Sequence, residues 1–392
     1  MRPALITVAA ALSAALAFVV GIEAPVAAAA AWLALVAFAF GFRRVHRTAG
    51  RASIVAGTFL AVLCIAEIAA RGRQQVHAAL RPSDYNTSYY ADDDVLGYTT
   101  LPGGSGSVEK WYDGELVYST TYTMDEVGGR RTGALPRPAP EGAVLCFGGS
   151  YMFGEGLADD ETVPHRAQEA MKGTLRFYNL SLHGWGPHHM LARLDTGRVE
   201  EEVRETPRVA LYWAIPDHAA RAAGKRYWDR NGPHYEADAT GRATRLGSFV
   251  ETLDPPPLDP TPRGLTKISW VARELTPTTR RVVPGDVERW GALVATARDE
   301  VESRFPGCAF HVLFEDRPMG ETEGMLAELE EHGVRTHLMS RILPGFLDGD
   351  PRWTIHPSDV HPSAAATERI ADYVVESIVE PALAAGIESP PR

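Results

Sequence analysis

Five short runs of strand character, set apart by stretches of helical periodicity, do most to limit what the chain beyond residue 142 can fold into. They are Ala143–Phe147, Leu175–Leu180, Val209–Ile215, Ala309–Phe314 and Arg335–Met339. The first is apolar throughout, as a strand buried on both faces must be. Helical patterns lie between and after them. One begins near Val163-Pro164, after Asp159, Asp160 and Thr162, and another begins at about His188. Asp286–Phe305 carries Val287, Trp290, Val294, Ala297 and Val301 on one stripe, and a further helix falls around Met325–Glu331. Pro362-Ser363 opens a terminal helix whose apolar face is Ala366, Ile370, Val374 and Ile378. Strands separated by helices of this length predict a parallel sheet with helices on both faces, an α/β architecture.

The front of the chain is built differently. Residues 1–72 hold three apolar segments, Pro3–Gly21, Ala24–Phe42 and Ser53–Ala70. Each approaches the roughly 20 residues that a helix needs to cross a bilayer. Arg43, Arg44, Arg47 and Arg51 place the loop before the third segment in the cytoplasm. Three transmembrane helices are therefore expected, making a multi-pass protein of the cell membrane with residue 71 onward outside the cytoplasm. Arg71, Arg73 and Arg81 pull mildly the other way. A cleaved signal peptide is the competing reading of the first segment, but its charged region is minimal and a second apolar run follows almost at once.

Residues 73–140 read as a β-rich lead-in and linker. Val108–Tyr118 suits a hairpin turning at Asp113-Gly114, and Tyr122, Asp125 and Arg130 could reach a site in the following domain, 141–386. That domain is interrupted at about 219–284, a lid or substrate-facing insertion with a hairpin at Arg226–Tyr235 and a proline-rich Leu253–Pro262. A net charge of −11 without a basic stripe argues against nucleic acid as a partner. Cys64, Cys146 and Cys308 are too few for a disulfide framework and read as reduced packing residues.

Chemistry concentrates at two places. The first strand stops at Gly148-Gly149, which puts Ser150 just past a strand's C-terminal end, where open α/β sheets hold their active sites. A serine hydroxyl needs a base to become a nucleophile. The best candidate is His361. Asp359, two residues before it, faces the same side of an extended chain and can hold the imidazole's tautomer. A phosphate cradle would want a P-loop lysine or a G-x-G-x-x-G spacing, and neither is present. Met152 occupies the place of the last glycine of a G-x-S-x-G elbow. His183, His188 and His189 cluster locally with no cysteine or carboxylate at ligand spacing, so they read as helix-entry packing and not as a metal site.

These stretches resemble the blocks of the SGNH (GDSL-like) hydrolases. Gly148-Gly149-Ser150, continuing through Phe153-Gly154-Glu155-Gly156 to Thr162, is similar to the first block. The run from Asn179 to Gly184 is similar to the second, and Asp359 to Pro362 to the last. The resemblance implies a flavodoxin-like three-layer fold, with Ser150 attacking an acyl carbonyl, His361 as base, Asp359 orienting it and the Gly184 N–H in an oxyanion hole. The third block departs from the pattern. Pro216, before Asp217 and His218, stands where the family supplies an asparagine, leaving the hole to the Ser150 and Gly184 N–H groups and His218. Loss of one such donor typically costs about 10²–10³ in rate. One residue, not two, separates Asp359 from His361. The expectation is a membrane-anchored serine esterase that forms an acyl-enzyme from an ester substrate on a glycan or lipid, with no metal or cofactor. The alternatives are an O-acyltransferase acting on a cell-surface glycan and a non-catalytic binding protein.

Overall fold

A computed structural model describes residues 33, 36, 48–80, 83–85, 88–134, 139–254, 269–275 and 281–387. They divide into two compact units, residues 1–82 with 259–278, and residues 83–258 with 279–392.

In the first unit a single helix, Thr48–Leu80, contains the 18-residue stretch Val55–Gly72, long and apolar enough to cross a membrane. Only 22% of that stretch is buried. Val55, Phe59, Val62, Ile65 and Ile68 recur at helical spacing and stand exposed. Cys64, Glu67 and Ala70 lie buried on another side, where Glu67 accepts a hydrogen bond from the Ser269 hydroxyl. Among the described residues this is the one helix of that kind, so the expected set of three spans rests on one. Pro3–Gly21 and, apart from Leu33 and Val36, Ala24–Phe42 lie outside the described residues.

The second unit opens with antiparallel strands. β1 (Ser83–Tyr85), β4 (Ser105–Tyr112) and β5 (Glu115–Thr123) form one sheet, and β2 (Tyr90–Asp93) pairs with β3 (Gly97–Thr100). The β4–β5 turn falls at Asp113-Gly114. Both residues have positive φ, 51° and 81°, as a two-residue type I′ turn requires.

The expected parallel sheet follows. It is built from β6 (Gly142–Gly148), β7 (Leu175–Asn179), β8 (Pro207–Ala214), β11 (Ala309–Phe314) and β12 (Arg335–Leu338), in the order β12-β11-β8-β6-β7. Read from β7, the strands run 2-1-3-4-5, the flavodoxin-like order, whose switch point lies between β6 and β8. Side chains alternate across each strand. β6 therefore sends Ala143, Leu145 and Phe147 to one core and Val144 and Cys146 to the other. Trp290, Leu293, Val294, Ala297 and Val301 of the Pro284–Arg304 helix close the first core. Ile370, Ala371 and Val374 of the Ala364–Val374 helix close the second, with Val163 and Ala167 of the Val163–Ala170 helix. Each of the valines, leucines and isoleucines among them, fully buried, contributes about 1.5–3 kcal/mol. Three layers result. Cys64, Cys146 and Cys308 are free and buried.

The insertion differs from its expectation. Arg226–Tyr235 is not itself a hairpin: Tyr227–Asp229 is a 3₁₀ turn, and the hairpin is β9 (Pro233–Ala237) with β10 (Ala243–Ser248). The turn chemistry lies downstream, where the Asp238 carboxylate accepts from the Thr240 and Arg242 N–H groups and Gly241 takes φ 81°.

Candidate active site

The β6 strand ends in a turn that glycine alone fits. Gly148 has φ 156°, and a Cβ there would lie 2.9 Å from Met152 Cβ. A Cβ on Gly149 would lie 2.7 Å from Arg221 Nη1, 2.9 Å from the Trp185 carbonyl oxygen and 3.0 Å from His218 Nε2. The chain turns directly into a four-residue helix, Ser150–Phe153, so Ser150 occupies a first position whose N–H has no intrahelical acceptor. Ser150 is 5% exposed.

That short helix is braced from behind. Arg130, fully buried, donates to the carbonyls of Phe153 (2.9 Å), Gly154 and Leu157 (2.6 Å), and its Nε to Asp159 (3.2 Å). Asn179 Nδ2 donates to the Met152 carbonyl at 3.1 Å, and the Gly156 N–H donates to the Tyr122 hydroxyl at 2.8 Å. Tyr122, Arg130 and Asn179 thus support the turn and do not face the cavity. Asp125 is occupied in its own turn, accepting from the Val127 N–H.

His361 arrives from β14 (Asp359–Pro362), which pairs with β13 (Thr354–His356). The Ser363 hydroxyl accepts from the Ala366 N–H and caps the helix that follows. Thr367 Oγ1 donates to the Glu161 carbonyl at 2.6 Å and Arg166 Nη1 to the Ala364 carbonyl at 2.8 Å. These bonds tie that helix to the segment after Ser150. Two side chains 211 residues apart are so brought to hydrogen-bonding distance, with His361 Nε2 2.8 Å from Ser150 Oγ. On the other side of the ring, Nδ1 lies 2.6 Å from Asp359 Oδ1. Asp359 Oδ2 accepts from Lys110 Nζ at 2.9 Å, across from β4. The Tyr151 hydroxyl holds the Val360 carbonyl at 3.2 Å.

Burial works against the charge on Asp359, but its bonds to His361 and Lys110 outweigh it and hold the carboxyl at about 2. Burial likewise opposes protonation of His361, yet the carboxylates of Glu155 and Asp359 raise its pKa above the ordinary histidine value. The ring is poised to take a proton.

Ser150, His361 and Gly184 share the wall of one cavity of about 1350 Å³. Gly184 takes φ 77°, and a Cβ there would lie 2.6 Å from the Tyr98 hydroxyl. Among the described residues its N–H has no acceptor, so the group is available to a ligand. Asp217 also lines the cavity. Despite burial, Arg221 and Arg226 hold its carboxyl at about 2, so it is an ionised acceptor and cannot donate to an oxyanion. His218 is a correction. It is fully buried, its Nδ1 is 2.6 Å from the Tyr212 hydroxyl, and it does not line the cavity. The α-helix that begins at Asp217 turns the next side chain inward. Asn179, named with the second block as a candidate binding residue, also turns from the cavity, its amide donating to the Met152 carbonyl.

Sequence reasoning missed Lys110, Glu155, Tyr98, Arg221 and Trp228, all at or beside the site. It also missed the partner of the histidine cluster. Asp229, in the insertion, lies 2.6 Å from His188 Nε2 and 3.2 Å from His189 Nε2, all three buried. The Gly186 N–H donates to His189 Nδ1, so that ring carries its proton on Nε2, which lies near Asp229 Oδ1 without hydrogen-bonding to it. A cation would need that lone pair free. The arrangement suits a buried carboxylate bonded by His188, with the His189 ring beside it.

Fold and site define an α/β protein whose serine, histidine and aspartate stand in relay at the sheet's switch point. No protein-family model matches the chain, and no curated protein matches it. Solved structures do. An esterase, EstA, from Pseudoalteromonas sp. is 13% identical with TM-score 0.34, covering 61% of this chain and 97% of its own. A family 3 carbohydrate esterase from Clostridium thermocellum is 10% identical with TM-score 0.35, covering 62% and 98%. A protein from Desulfitobacterium hafniense DCB-2, described as lipolytic and of the G-D-S-L family, is 10% identical with TM-score 0.32, covering 59% and 97%. Likeness this low leaves the chemistry to be argued from the side chains themselves.

Proposed function

We propose that the chain is a serine esterase that cleaves a carboxylic ester through an acyl-enzyme. The observation that carries this is the pair of distances about one imidazole, 2.8 Å to Ser150 Oγ and 2.6 Å to Asp359 Oδ1. Ser150 Oγ attacks the acyl carbonyl as its proton passes to His361 Nε2. The tetrahedral intermediate collapses, the C–O bond to the alcohol breaks, and Nε2 returns the proton to the departing oxygen. Asp359 keeps the imidazole in the required tautomer and stabilises its charged form. The Ser150 and Gly184 N–H groups serve the oxyanion. The test is hydrolysis of p-nitrophenyl acyl esters by the purified protein. Ser150→Ala and His361→Ala should each lower kcat/KM by about 10⁴ or more. A wild-type protein that folds, binds and never hydrolyses would favour the non-catalytic reading.

A second reading, transfer of the acyl group to a glycan hydroxyl, is favoured by the cavity itself. Its volume of about 1350 Å³ exceeds the roughly 300–1,000 Å³ usual for one small ligand. Trp228, 50% exposed, offers at its wall an indole on which a sugar ring can stack. The partition of product between water and an added sugar acceptor distinguishes the two. We also assign the Thr48–Leu80 helix to the bilayer, because large apolar side chains stand exposed along it. Fractionation should then leave the chain with membranes after high-salt washing and release it with detergent.

A further inference from the structure

A second carboxylate stands on the reacting side of His361. Glu155 Oε2 lies 3.4 Å from His361 Nε2, the nitrogen that faces Ser150, and Glu155 lines the same cavity. It is held firmly. His183 Nδ1 is 2.8 Å from Oε2, and the Tyr118 hydroxyl donates to Oε1 at 3.1 Å. Burial disfavours the charge on Glu155, but His361, His183 and Lys110 outweigh it and hold the carboxyl well below its ordinary range. An ionised carboxylate only accepts, so His183 Nδ1 carries the proton between them. The relay from Ser150 to Asp359 does not need this group, since the imidazole's tautomer is already fixed from the Nδ1 side.

We propose that Glu155 is a catalytic residue of the second half-reaction, the acceptor that orients the water which deacylates Ser150. The inference rests on the esterase reading. Once the alcohol has left, the space beside Nε2 is open to a new nucleophile. Water has two O–H bonds, and it can direct one to His361 Nε2 and the other to Glu155 Oε2. Its oxygen then attacks the acyl carbonyl on Ser150 as the first proton passes to Nε2. The intermediate collapses, the bond from the acyl carbon to Oγ breaks, Nε2 returns its proton to Oγ, and the acid departs. The second proton stays on the product carboxyl until solvent takes it. An alcohol has a single O–H, which the base consumes, so it gains nothing from Glu155. The residue therefore biases the acyl-enzyme toward water.

The test separates the two half-reactions by rapid quench and intact mass, following the rise and decay of the acyl-enzyme formed from p-nitrophenyl acetate. Glu155→Gln should acylate within about threefold of wild type and deacylate about 10²-fold more slowly, the lower end of what a positioned acid–base group supplies. With methanol present, the ratio of methyl ester to acid should rise by the same factor. Equal losses in both steps would mean that Glu155 only supports the imidazolium, and no loss in either would mean that it does nothing; each overturns the proposal. Tyr118→Phe, which keeps the carboxylate and loosens Oε1, is the second variant should Glu155→Gln unfold, and it should slow deacylation alone. A wild-type protein that forms no acyl-enzyme at all would instead sink the esterase reading.

Discussion

Arg130 gives the sharpest test of how the nucleophile is held. Arg130→Met keeps the aliphatic packing and removes the guanidinium. Three carbonyls behind the Ser150 helix, those of Phe153, Gly154 and Leu157, then lose one donor each, keeping the Asn179 amide at 3.4 Å, the Leu157 N–H at 3.2 Å and the Thr120 hydroxyl at 3.0 Å respectively. At about 1 kcal/mol for each hydrogen bond removed, the loss begins near 3 kcal/mol. Removing one partner from a buried charged network typically costs about 3–5 kcal/mol, and the guanidinium's places over Tyr122 (4.4 Å) and Phe153 (4.8 Å) go as well. The Asp159 carboxylate is partly exposed and adds little. The expected loss is about 3–5 kcal/mol, a large share of a domain's stability. At about 2–4 °C per kcal/mol, thermal unfolding should come roughly 6–20 °C earlier. Urea unfolding at fixed pH measures the free energy directly. A loss below about 1 kcal/mol would refute the reasoning, because it would mean that the remaining donors satisfy those carbonyls without the guanidinium.

Four further outcomes follow from the site. His361 must be neutral to act, and its carboxylate neighbours raise its pKa, so kcat/KM should fall on the acid side starting above the ordinary histidine value. Because the folded pKa is raised, the stability His361 contributes is complete below pH 6.5 and is lost as pH rises through the folded value. The Asp359 contribution runs oppositely, present above pH 3.8 and lost as pH falls toward about 2. Lys110→Met removes a cation that opposes protonation of His361, so the acid limb of the pH–rate curve should move to higher pH, and movement to lower pH would contradict the assignment. Gly149→Ala drives a Cβ to 2.9 Å from the Trp185 carbonyl and 2.7 Å from Arg221; the turn must shift, and kcat should drop about 10²-fold, as for a misplacement near 1 Å.

The sheet was legible because its five strands are short runs that punctuation and periodicity isolate. Ser150 was legible because two glycines end a buried strand, and His361 because Asp359 stands two residues before it. What escaped has a common cause, contact between segments remote in sequence. Lys110 meets Asp359 across 249 residues, and nothing in the β4 hairpin marks it. Glu155 sits inside the first block, but its meaning depends on His183, Tyr118 and His361 converging there. His218 was named because it follows Pro216, where the family's asparagine is missing, whereas a helix begins at Asp217 and turns it inward. The Arg226–Tyr235 hairpin failed because the Asp238–Gly241 turn lies a few residues on.

The central claim is that one hydroxyl, on Ser150, is the nucleophile. Reaction of the purified protein with a fluorophosphonate, followed by intact mass and peptide mapping, tests it most directly. The account predicts a single adduct on the peptide carrying Ser150, lost in Ser150→Ala and slowed as His361 becomes protonated. No adduct, or one on another residue that persists in Ser150→Ala, would contradict it.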